Sequence, residues 1–223
     1  MNILSINLGK AQSIKIGKKI IKTGIFKEPT TEKVIINKEG ILNDLIVDTA
    51  RHGGADQAIY LYSALDYRWW ENELGHDIPF GTFGENLTLD QFPQQPLRIG
   101  DRFKINNVVL EITFGRIPCA TLGACMNDAT FVKKFAASAR YGVYARVLQT
   151  GTIKQGDTVK FMPTSQDYPT VKALFDLFQA KRPDQQLLRE GLNAPIASRA
   201  RSAFQYWLEQ GSEDINHPEP FSN

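Results

Sequence analysis

The stretch Val108-Val-Leu-Glu-Ile-Thr-Phe-Gly-Arg-Ile-Pro-Cys119 joins two kinds of structural signal. Residues 108–114 are rich in β-branched and aromatic side chains, which is typical of a strand. After this run comes a turn in which a proline fixes the backbone just before a cysteine. We therefore predict a strand that ends in a rigid, non-helical segment, with Arg116 three residues before Cys119.

Strand-like runs on both sides of this stretch predict a mainly β fold for residues 1–165. They are punctuated by Gly and Asp, and they fall at residues 3–8, 19–25, 34–37, 45–48, 144–148 and 158–162. Residues 97–105 and 153–161 resemble each other, and each reads as a Gly-Asp turn that leads into a strand.

Helical signals interrupt this β region twice. One helix is expected between a capping Ser63 and a terminating Gly75, and a second is expected near residues 129–139. The aromatic residues of the first helix, Tyr67, Trp69 and Trp70, are interpreted as core, because no basic residues alternate with them as they would in a stacking platform.

The pattern changes after Pro163, where three amphipathic stretches follow. They begin behind Thr170, at residue 184 and at residue 196, and the last two are expected to end at Gly191 and Gly211. Three short helices barely bury a core of their own, so we expect them to pack on the β region or on a partner. The predicted organisation is a β domain over 1–165, a three-helix module over 166–211 and a loose tail over 212–223.

Composition describes an ordinary globular protein. Of the 223 residues, 42% are hydrophobic and 22% are charged, and the net charge is +2, too small to indicate nucleic acid as a partner. The charge is uneven, because residues 1–40 contain eight lysines and three glutamates, a net +5, which leaves −3 for the remainder. This basic segment is either a solvated strand face or a patch that meets an anion.

The chain has two cysteines, Cys119 and Cys125, which are too few for a disulfide scaffold, and its three histidines are scattered rather than grouped as zinc ligands. No signal peptide and no run long enough to span a membrane are recognised, so a cytoplasmic protein is expected.

Four segments could carry chemistry, and each also has a structural interpretation. Residues 51–58 place His52, Gly53 and Gly54 where backbone N–H groups could approach an anion, although Gly-Gly turns are common. Residues 83–87, Phe-Gly-Glu-Asn-Leu, could bind polar ligand edges or merely cap a turn. Arg146 interrupts an apolar strand, which implies an anionic partner or an outward-facing side chain.

The fourth segment contains Cys119. A nearby guanidinium stabilises a thiolate, which attacks electrophiles or binds soft metals, and Arg116 could supply that charge. The alternative is that Cys119 is a small buried apolar residue, as most cysteines are. Cys125, in Gly-Ala-Cys-Met, has no basic neighbour in sequence and fits that alternative better.

The order of the segments is more specific than any one of them. Lys22-Thr-Gly-Ile-Phe-Lys27, His52-Gly-Gly-x-x-x-Ala58, Phe83-Gly-Glu-Asn-Leu87, Arg116-x-Pro-Cys119 and Gly142-x-Tyr-x-Arg-Val147 occur in this sequence. Together they resemble the bacterial MOSC family, named for the C-terminal domain of molybdenum cofactor sulfurase. The resemblance is greatest to the short YiiM-like members, which carry a C-terminal three-helix module. Relatives typically have an aromatic residue and a lysine after the cysteine, where this chain has Ala120 and Thr121.

The resemblance implies a MOSC-type β-barrel that holds a molybdenum–pyranopterin cofactor. Cys119 matches the family cysteine that ligates molybdenum, and Arg116 accompanies it as a catalytic residue. The cofactor-binding residues implied are Lys27, His52, Gly53, Asn86 and Arg146.

The activity that the resemblance implies is reduction of N-hydroxylated compounds, such as hydroxylaminopurines, to amines as a detoxification. The chain shows no nicotinamide or flavin fingerprint and no iron–sulfur cysteine spacing, so electrons are expected from a separate flavin or iron–sulfur reductase. The expected ligand is a small-molecule substrate, neither nucleic acid nor a membrane is expected as a partner, and a homodimer is left open. Two alternatives remain: a non-catalytic carrier of the cofactor or of sulfur, and a cofactor-free β domain whose helices recruit a partner.

Overall fold

The computed structural model of the chain describes residues 1–47 and 53–211. The strands in these ranges are β1 (Ile3–Gly9), β2 (Gln12–Ile16), β3 (Lys19–Thr23), β4 (Lys27–Thr30), β5 (Val34–Asn37), β6 (Gly40–Ile41), β7 (Ile59–Ser63), β8 (Leu87–Leu89), β9 (Arg102–Ile105), β10 (Val108–Gly115), β11 (Val143–Gln149), β12 (Gly151–Ile153) and β13 (Val159–Met162). The α-helices are α1 (Ala64–Leu74), α2 (Ala120–Cys125), α3 (Phe131–Ala137), α4 (Val171–Leu177), α5 (Gln185–Asn193) and α6 (Ser198–Gln210). None of the helices in the described ranges is long and apolar enough to cross a bilayer.

One large sheet organises the molecule. Its eight strands lie in the order β13-β9-β10-β11-β7-β8-β1-β4. Every neighbouring pair is antiparallel except β7 and β8, which are parallel because α1 crosses over between them. Smaller sheets of β12-β5-β6 and of the β2-β3 hairpin flank it.

The expected mainly β, MOSC-type fold is confirmed, but the main sheet does not close completely into a barrel in the described residues, because β13 and β4 remain at its edges. The two ends come together only at an isolated bridge between Asn2 and Thr158 and at neighbouring backbone hydrogen bonds such as Val159 N–H to the carbonyl oxygen of Met1. Because β1 pairs with β4 from Ile6 to Gly9, only its first residues are available to meet the start of β13.

Most strand predictions are confirmed, and the mainly β class is correct. The exception is the run at 45–48, which is not a strand over 45–47, and Asp48 lies outside the described residues. The backbone there packs against two glycines. The carbonyl oxygen of Leu45 would lie 2.1 Å from a Cβ on Gly24 and 2.7 Å from one on Gly9. Residues 45–47 therefore pack against these glycines and do not pair with another strand.

Helix α1 begins and ends where the sequence predicts. The Ser63 hydroxyl accepts a hydrogen bond from the N–H of Leu65, and Gly75 ends the helix in the left-handed conformation with φ 74°. Tyr67 and Trp70 are buried in the core as predicted, whereas Trp69 is half-buried against the Arg140 guanidinium. The second predicted helix is shorter, at α3, and α2 before it is not predicted.

The three C-terminal helices pack onto the sheet, as expected. Phe114 of β10 contacts Phe178 and Phe204, with ring centroids 5.2 and 6.2 Å apart. Gly191 lies inside α5 rather than ending it, because its missing side chain leaves room for the Phe204 ring, which would be 2.7 Å from a Cβ there. The tail over 212–223 lies outside the described residues.

Candidate functional site

A cavity of about 280 Å³ opens beside the carboxyl end of β10. Its walls come from the end of β3 and the chain that follows, from residues 45–47, from β7 and β11, and from the segment Arg116–Cys119. A bulge between Ile112 and Phe114 precedes that segment, and bulges commonly re-aim the side chains beside them. The fold therefore brings the strand-to-cysteine stretch into a concave surface of ligand size.

Arg116 is the charged centre of this cavity. Its side chain is buried, its Nη1 donates a 2.6 Å hydrogen bond to the carbonyl oxygen of Phe83, and its guanidinium lies 5.1 Å from the Tyr60 ring centroid. The Nε atom is buried without a hydrogen-bond partner, and no carboxylate of the described residues lies within ion-pair distance. Burial opposes the charged form, but Tyr144, Tyr60 and Cys119 raise the pKa of Arg116 above its ordinary value, so it remains a cation.

Gly84 allows this placement of Arg116. Its φ of 79° lies in the left-handed region, where other residues are strained. A Cβ at this position would lie 3.2 Å from the Arg116 Nη1 atom and 3.0 Å from Ile25. The glycine of the Phe-Gly-Glu-Asn-Leu segment therefore lets the guanidinium lie against the backbone.

The two cysteines have different environments. Cys119 lines the cavity from the N-cap position of α2, in an extended conformation with φ −130°. Cys125 ends the same helix and does not line the cavity, and burial raises the pKa of its thiol to about 12, with Arg116 opposing. Cys125 is therefore a protonated thiol at neutral pH and a poor metal ligand.

Lys27 forms a buried ion pair at the side of the cavity. Its Nζ donates to both carboxylate oxygens of Asp44, each at 2.6 Å, and both side chains are almost completely buried. Asp44 also accepts hydrogen bonds from the Gly9 N–H at 2.6 Å and from Asn86 Nδ2 at 2.8 Å. Burial lowers the pKa of Lys27, and Asp44 opposes that shift. Asp44 thus offsets the charge of Lys27, whereas no carboxylate in residues 1–47 or 53–211 forms an ion pair with Arg116.

Asn86 acts through its neighbours. Its Oδ1 accepts from the backbone N–H of Tyr60 at 3.1 Å while its Nδ2 holds Asp44. Because both ends of the amide bind protein groups, Asn86 fixes the position of the Lys27–Asp44 pair relative to β7.

Two tyrosines complete the polar lining. Tyr60 and Tyr144 both line the cavity, with their ring centroids 5.0 Å apart. Burial raises the pKa of each phenol, and Arg116 opposes the shift. Both therefore keep their hydroxyl protons at neutral pH.

Glu85 lies in the same segment as Gly84 and Asn86 but faces the interior and is fully buried. Its Oε1 accepts hydrogen bonds from Tyr67 Oη at 2.6 Å, Gly81 N–H at 2.7 Å and Thr88 Oγ1 at 2.8 Å, while its Oε2 has no partner. Burial raises the pKa of this carboxyl group. Glu85 therefore ties the loop before β8 to α1.

The structure brings four of the predicted site residues together on this cavity, namely Lys27, Asn86, Arg116 and Cys119. Gly53 lines a neighbouring hollow beside the start of α6, and Gln57 borders both spaces. His52 lies outside the described residues. Arg146 does not line the cavity: its guanidinium lies 2.9 Å from Asp56 and 3.5 Å from Glu111, so protein carboxylates satisfy its charge, and its assignment to a cofactor anion stays a prediction.

Sequence reasoning does not select Asp44, Tyr60 or Tyr144. Asp44 has a usable signal, since it is the one charge in the apolar run Ile41-Leu-Asn-Asp-Leu-Ile-Val47 and must find a buried partner. Tyr144 belongs to the motif Gly142-x-Tyr-x-Arg-Val147, but Tyr60 has no signal, because a strand tyrosine that lines a cavity looks like any other core tyrosine until the strands are assembled.

This arrangement suits a ligand that carries negative charge for Arg116 and a metal that binds the Cys119 sulfur. A thiol, a guanidinium without an ion-pair partner among the described residues and the Tyr144 phenol share one concave surface, while the Tyr60 hydroxyl donates to the carbonyl oxygen of Tyr141. The described residues contain no cluster of three or more His, Cys, Asp or Glu side chains that could hold a bare metal ion. A metal bound through Cys119 would have to bring most of its ligands with it.

Comparison with known proteins identifies the family of this chain. A family model for the MOSC domain matches residues 48–160. The Bacillus subtilis protein named Uncharacterized protein YflK is 33% identical over 161 residues, covering 72% of this chain and 73% of YflK. The chain belongs to the MOSC domain family.

Two further relatives of this MOSC protein differ in what they show. The solved structure of YiiM from Geobacillus stearothermophilus aligns with a TM-score of 0.77 over 93% of this chain and 98% of YiiM, at 24% identity, and shows the shared fold. A protein from Gibberella moniliformis named Reductase is 27% identical over 198 residues, which cover 87% of this chain but only 35% of that longer protein.

Proposed function

We propose that this MOSC protein is an oxidoreductase that binds a molybdenum–pyranopterin cofactor and reduces N-hydroxylated compounds to amines. The observation that carries the proposal is that Cys119 and the Arg116 cation, which has no ion-pair partner among the described residues, line one cavity. A relative that bears the name Reductase supports the class of reaction.

The residues present fit such a group. Arg116 lines the cavity as a buried cation, and such a cation without an ion-pair partner among the described residues is costly until an anionic group is supplied. Thiolate is a soft ligand that suits a sulfur-rich metal centre, and Cys119 would provide it. Lys27, held by Asp44 and Asn86, would border the ligand as a fixed donor.

The cofactor supplies the two-electron redox chemistry when it is bound, and the protein binds and orients the reactants. In the overall reaction an N-hydroxyl group takes up two electrons and two protons, the N–O bond breaks, and the products are the amine and water. Tyr144 keeps its hydroxyl proton at neutral pH and would offer it to the substrate, whereas the Tyr60 hydroxyl is held by the carbonyl oxygen of Tyr141. Arg116 fixes a positive charge where oxygen-bearing groups enter.

Turnover with a small electron donor tests this proposal. The protein is expressed in a host that makes the cofactor, reduced methyl viologen is the donor, and conversion of 6-hydroxylaminopurine to adenine is followed. The matched control is the same protein from a host that cannot make the cofactor. We expect amine formation only in the loaded sample.

Two outcomes would overturn the proposal. Bound molybdenum without amine formation would favour a carrier of the cofactor or of sulfur. Absence of both molybdenum and pterin from freshly purified protein would favour a cofactor-free domain.

A further inference from the structure

The β2–β3 hairpin, residues 12–23, is a strongly basic exposed element. It carries Lys15, Lys18, Lys19 and Lys22 and no acidic residue. All four lysines are exposed. The hairpin pairs only within itself and forms a separate two-stranded sheet.

The hairpin lies at the mouth of the cavity. Its strand β2 packs against α2, the helix that begins immediately after Cys119. The end of β3, at Ile21, Lys22 and Thr23, lines the cavity itself. A molecule bound on the outer face of the hairpin would therefore lie next to the place where the proposed reduction occurs.

Apolar side chains are exposed among these lysines. Ile20 is 74% exposed, and Ile21, Leu45 and Val47, which all line the cavity, are 36–40% exposed. Protein interfaces commonly combine a small apolar centre with a charged rim. We call this set of Lys15, Lys18, Lys19, Ile20 and Ile21 the hairpin surface.

We infer that the hairpin surface docks an acidic electron-donor protein that carries a reduced flavin or iron–sulfur cluster. This inference rests on the proposed function, which needs two electrons for each N–O bond broken and a donor outside this chain. Charge complementarity argues for an acidic partner: the hairpin carries four exposed lysines and no acidic residue, so it attracts a negatively charged protein to the mouth of the cavity.

Charge reversal tests the inference. The triple variant Lys15→Glu, Lys18→Glu, Lys19→Glu leaves the cavity lining intact, because none of these side chains lines it. The matched control is Lys104→Glu, Lys154→Glu, Lys160→Glu, an equal charge change on exposed residues toward the β13 edge of the main sheet. The probe is a chemically reduced acidic [2Fe–2S] ferredoxin, and kcat/KM for ferredoxin is measured at low and high salt.

We expect the hairpin variant to lose about tenfold or more in kcat/KM for ferredoxin at low ionic strength, since electrostatic steering raises association rates by about 10- to 1,000-fold. The loss should shrink as salt rises, because charges separated by more than a Debye length are screened. Turnover with reduced methyl viologen should be the same in all three proteins, and the control should use ferredoxin like the wild type.

The outcomes separate the two proposals. If wild-type protein turns over with viologen but both triple variants use ferredoxin equally well, the docking inference is wrong and the proposed function stands. If no protein turns over with viologen, the proposed function itself fails. If the hairpin variant uses ferredoxin normally but loses binding to vesicles containing phosphatidylserine, the surface is a membrane contact, and the inference is again overturned.

Discussion

At the scale of single residues, Arg116 and Arg146 show how much context decides the role of an arginine. Both lie in largely apolar stretches of sequence, and both have a buried Nε without a partner. Arg146 is nevertheless satisfied by Asp56 and Glu111, whereas Arg116 faces a cavity with no carboxylate of the described residues beside it. Only the second arrangement leaves charge for a ligand.

The first prediction compares these two arginines. Arg116→Met should weaken the affinity for the cofactor by roughly ten- to a hundredfold, since a hydrogen bond to a charged group contributes about 1.5–3 kcal/mol. The measured result is less molybdenum retained per protein after gel filtration. Arg146→Met should retain molybdenum like the wild type. Its melting temperature should fall, because Asp56 loses the Arg146 ion pair while Glu111 keeps only its pair with Arg102. Equal molybdenum loss in both variants would contradict the claim that Arg116, unlike Arg146, contacts the cofactor.

The second prediction concerns Glu85 and pH. Burial raises the pKa of Glu85 in the folded state above the ordinary value of 4.5. At pH values just above 4.5, the folded protein therefore keeps the Glu85 proton, whereas the unfolded chain releases it. The folded state therefore binds more protons in that window, and the free energy of unfolding falls as pH rises through it, by up to about 1.4 kcal/mol per pH unit. In Glu85→Gln this contribution should vanish, so denaturation between pH 5 and 8 should show a flatter dependence. Identical slopes in the two proteins would show that Glu85 ionises normally.

At the scale of elements, the C-terminal helices are part of the core rather than an attachment to it. Phe204 is fully buried and contacts Phe114 of the sheet as well as Phe178 and Trp207 of the helices. Tyr206 lies on the same helix but is 39% exposed.

The third prediction uses that contrast. Phe204→Ala should lower the free energy of unfolding by about 3–5 kcal/mol, as large-to-small core substitutions do, and the sheet and helices should still unfold in one transition. Tyr206→Ala should change stability by less than about 1 kcal/mol. Urea unfolding followed by circular dichroism and by tryptophan fluorescence checks both. Two separate transitions would make the helices an independent unit.

Elements also show what the sequence could reveal. The strand ending near Phe114 and the helix between Ser63 and Gly75 follow from local patterns, and both are present. The segment 45–47 looks like a strand because it is apolar, but its backbone position is decided by Gly9 and Gly24, which are distant in sequence. Helix α5 continues through Gly191, where the missing side chain makes room for the distant Phe204 ring. Local sequence patterns predict local secondary structure, and the predictions fail where contacts with residues distant in sequence determine the backbone conformation.

At the scale of the whole molecule, the cavity is assembled from segments spread between residues 21 and 144. The order of motifs identified the family and selected four residues that line the cavity. It could not separate them from Arg146, because no sequence pattern states which carboxylates will surround an arginine after folding. It also could not supply the sheet order, in which β7 meets both β8 and β11 and so places Tyr60 beside Asn86 and Tyr144.

The central claim is that Cys119, and not Cys125, serves the metal centre. The most direct test is the rate of 6-hydroxylaminopurine reduction per bound molybdenum, with reduced methyl viologen, in Cys119→Ser and Cys125→Ser made in the same cofactor-producing host. A serine hydroxyl is a hard, protonated ligand that suits this centre poorly, so Cys119→Ser should have no measurable turnover per molybdenum. Cys125→Ser should keep most of the wild-type rate, since its thiol is protonated and lies outside the cavity lining. Full turnover in Cys119→Ser, or its loss in Cys125→Ser alone, would contradict the account.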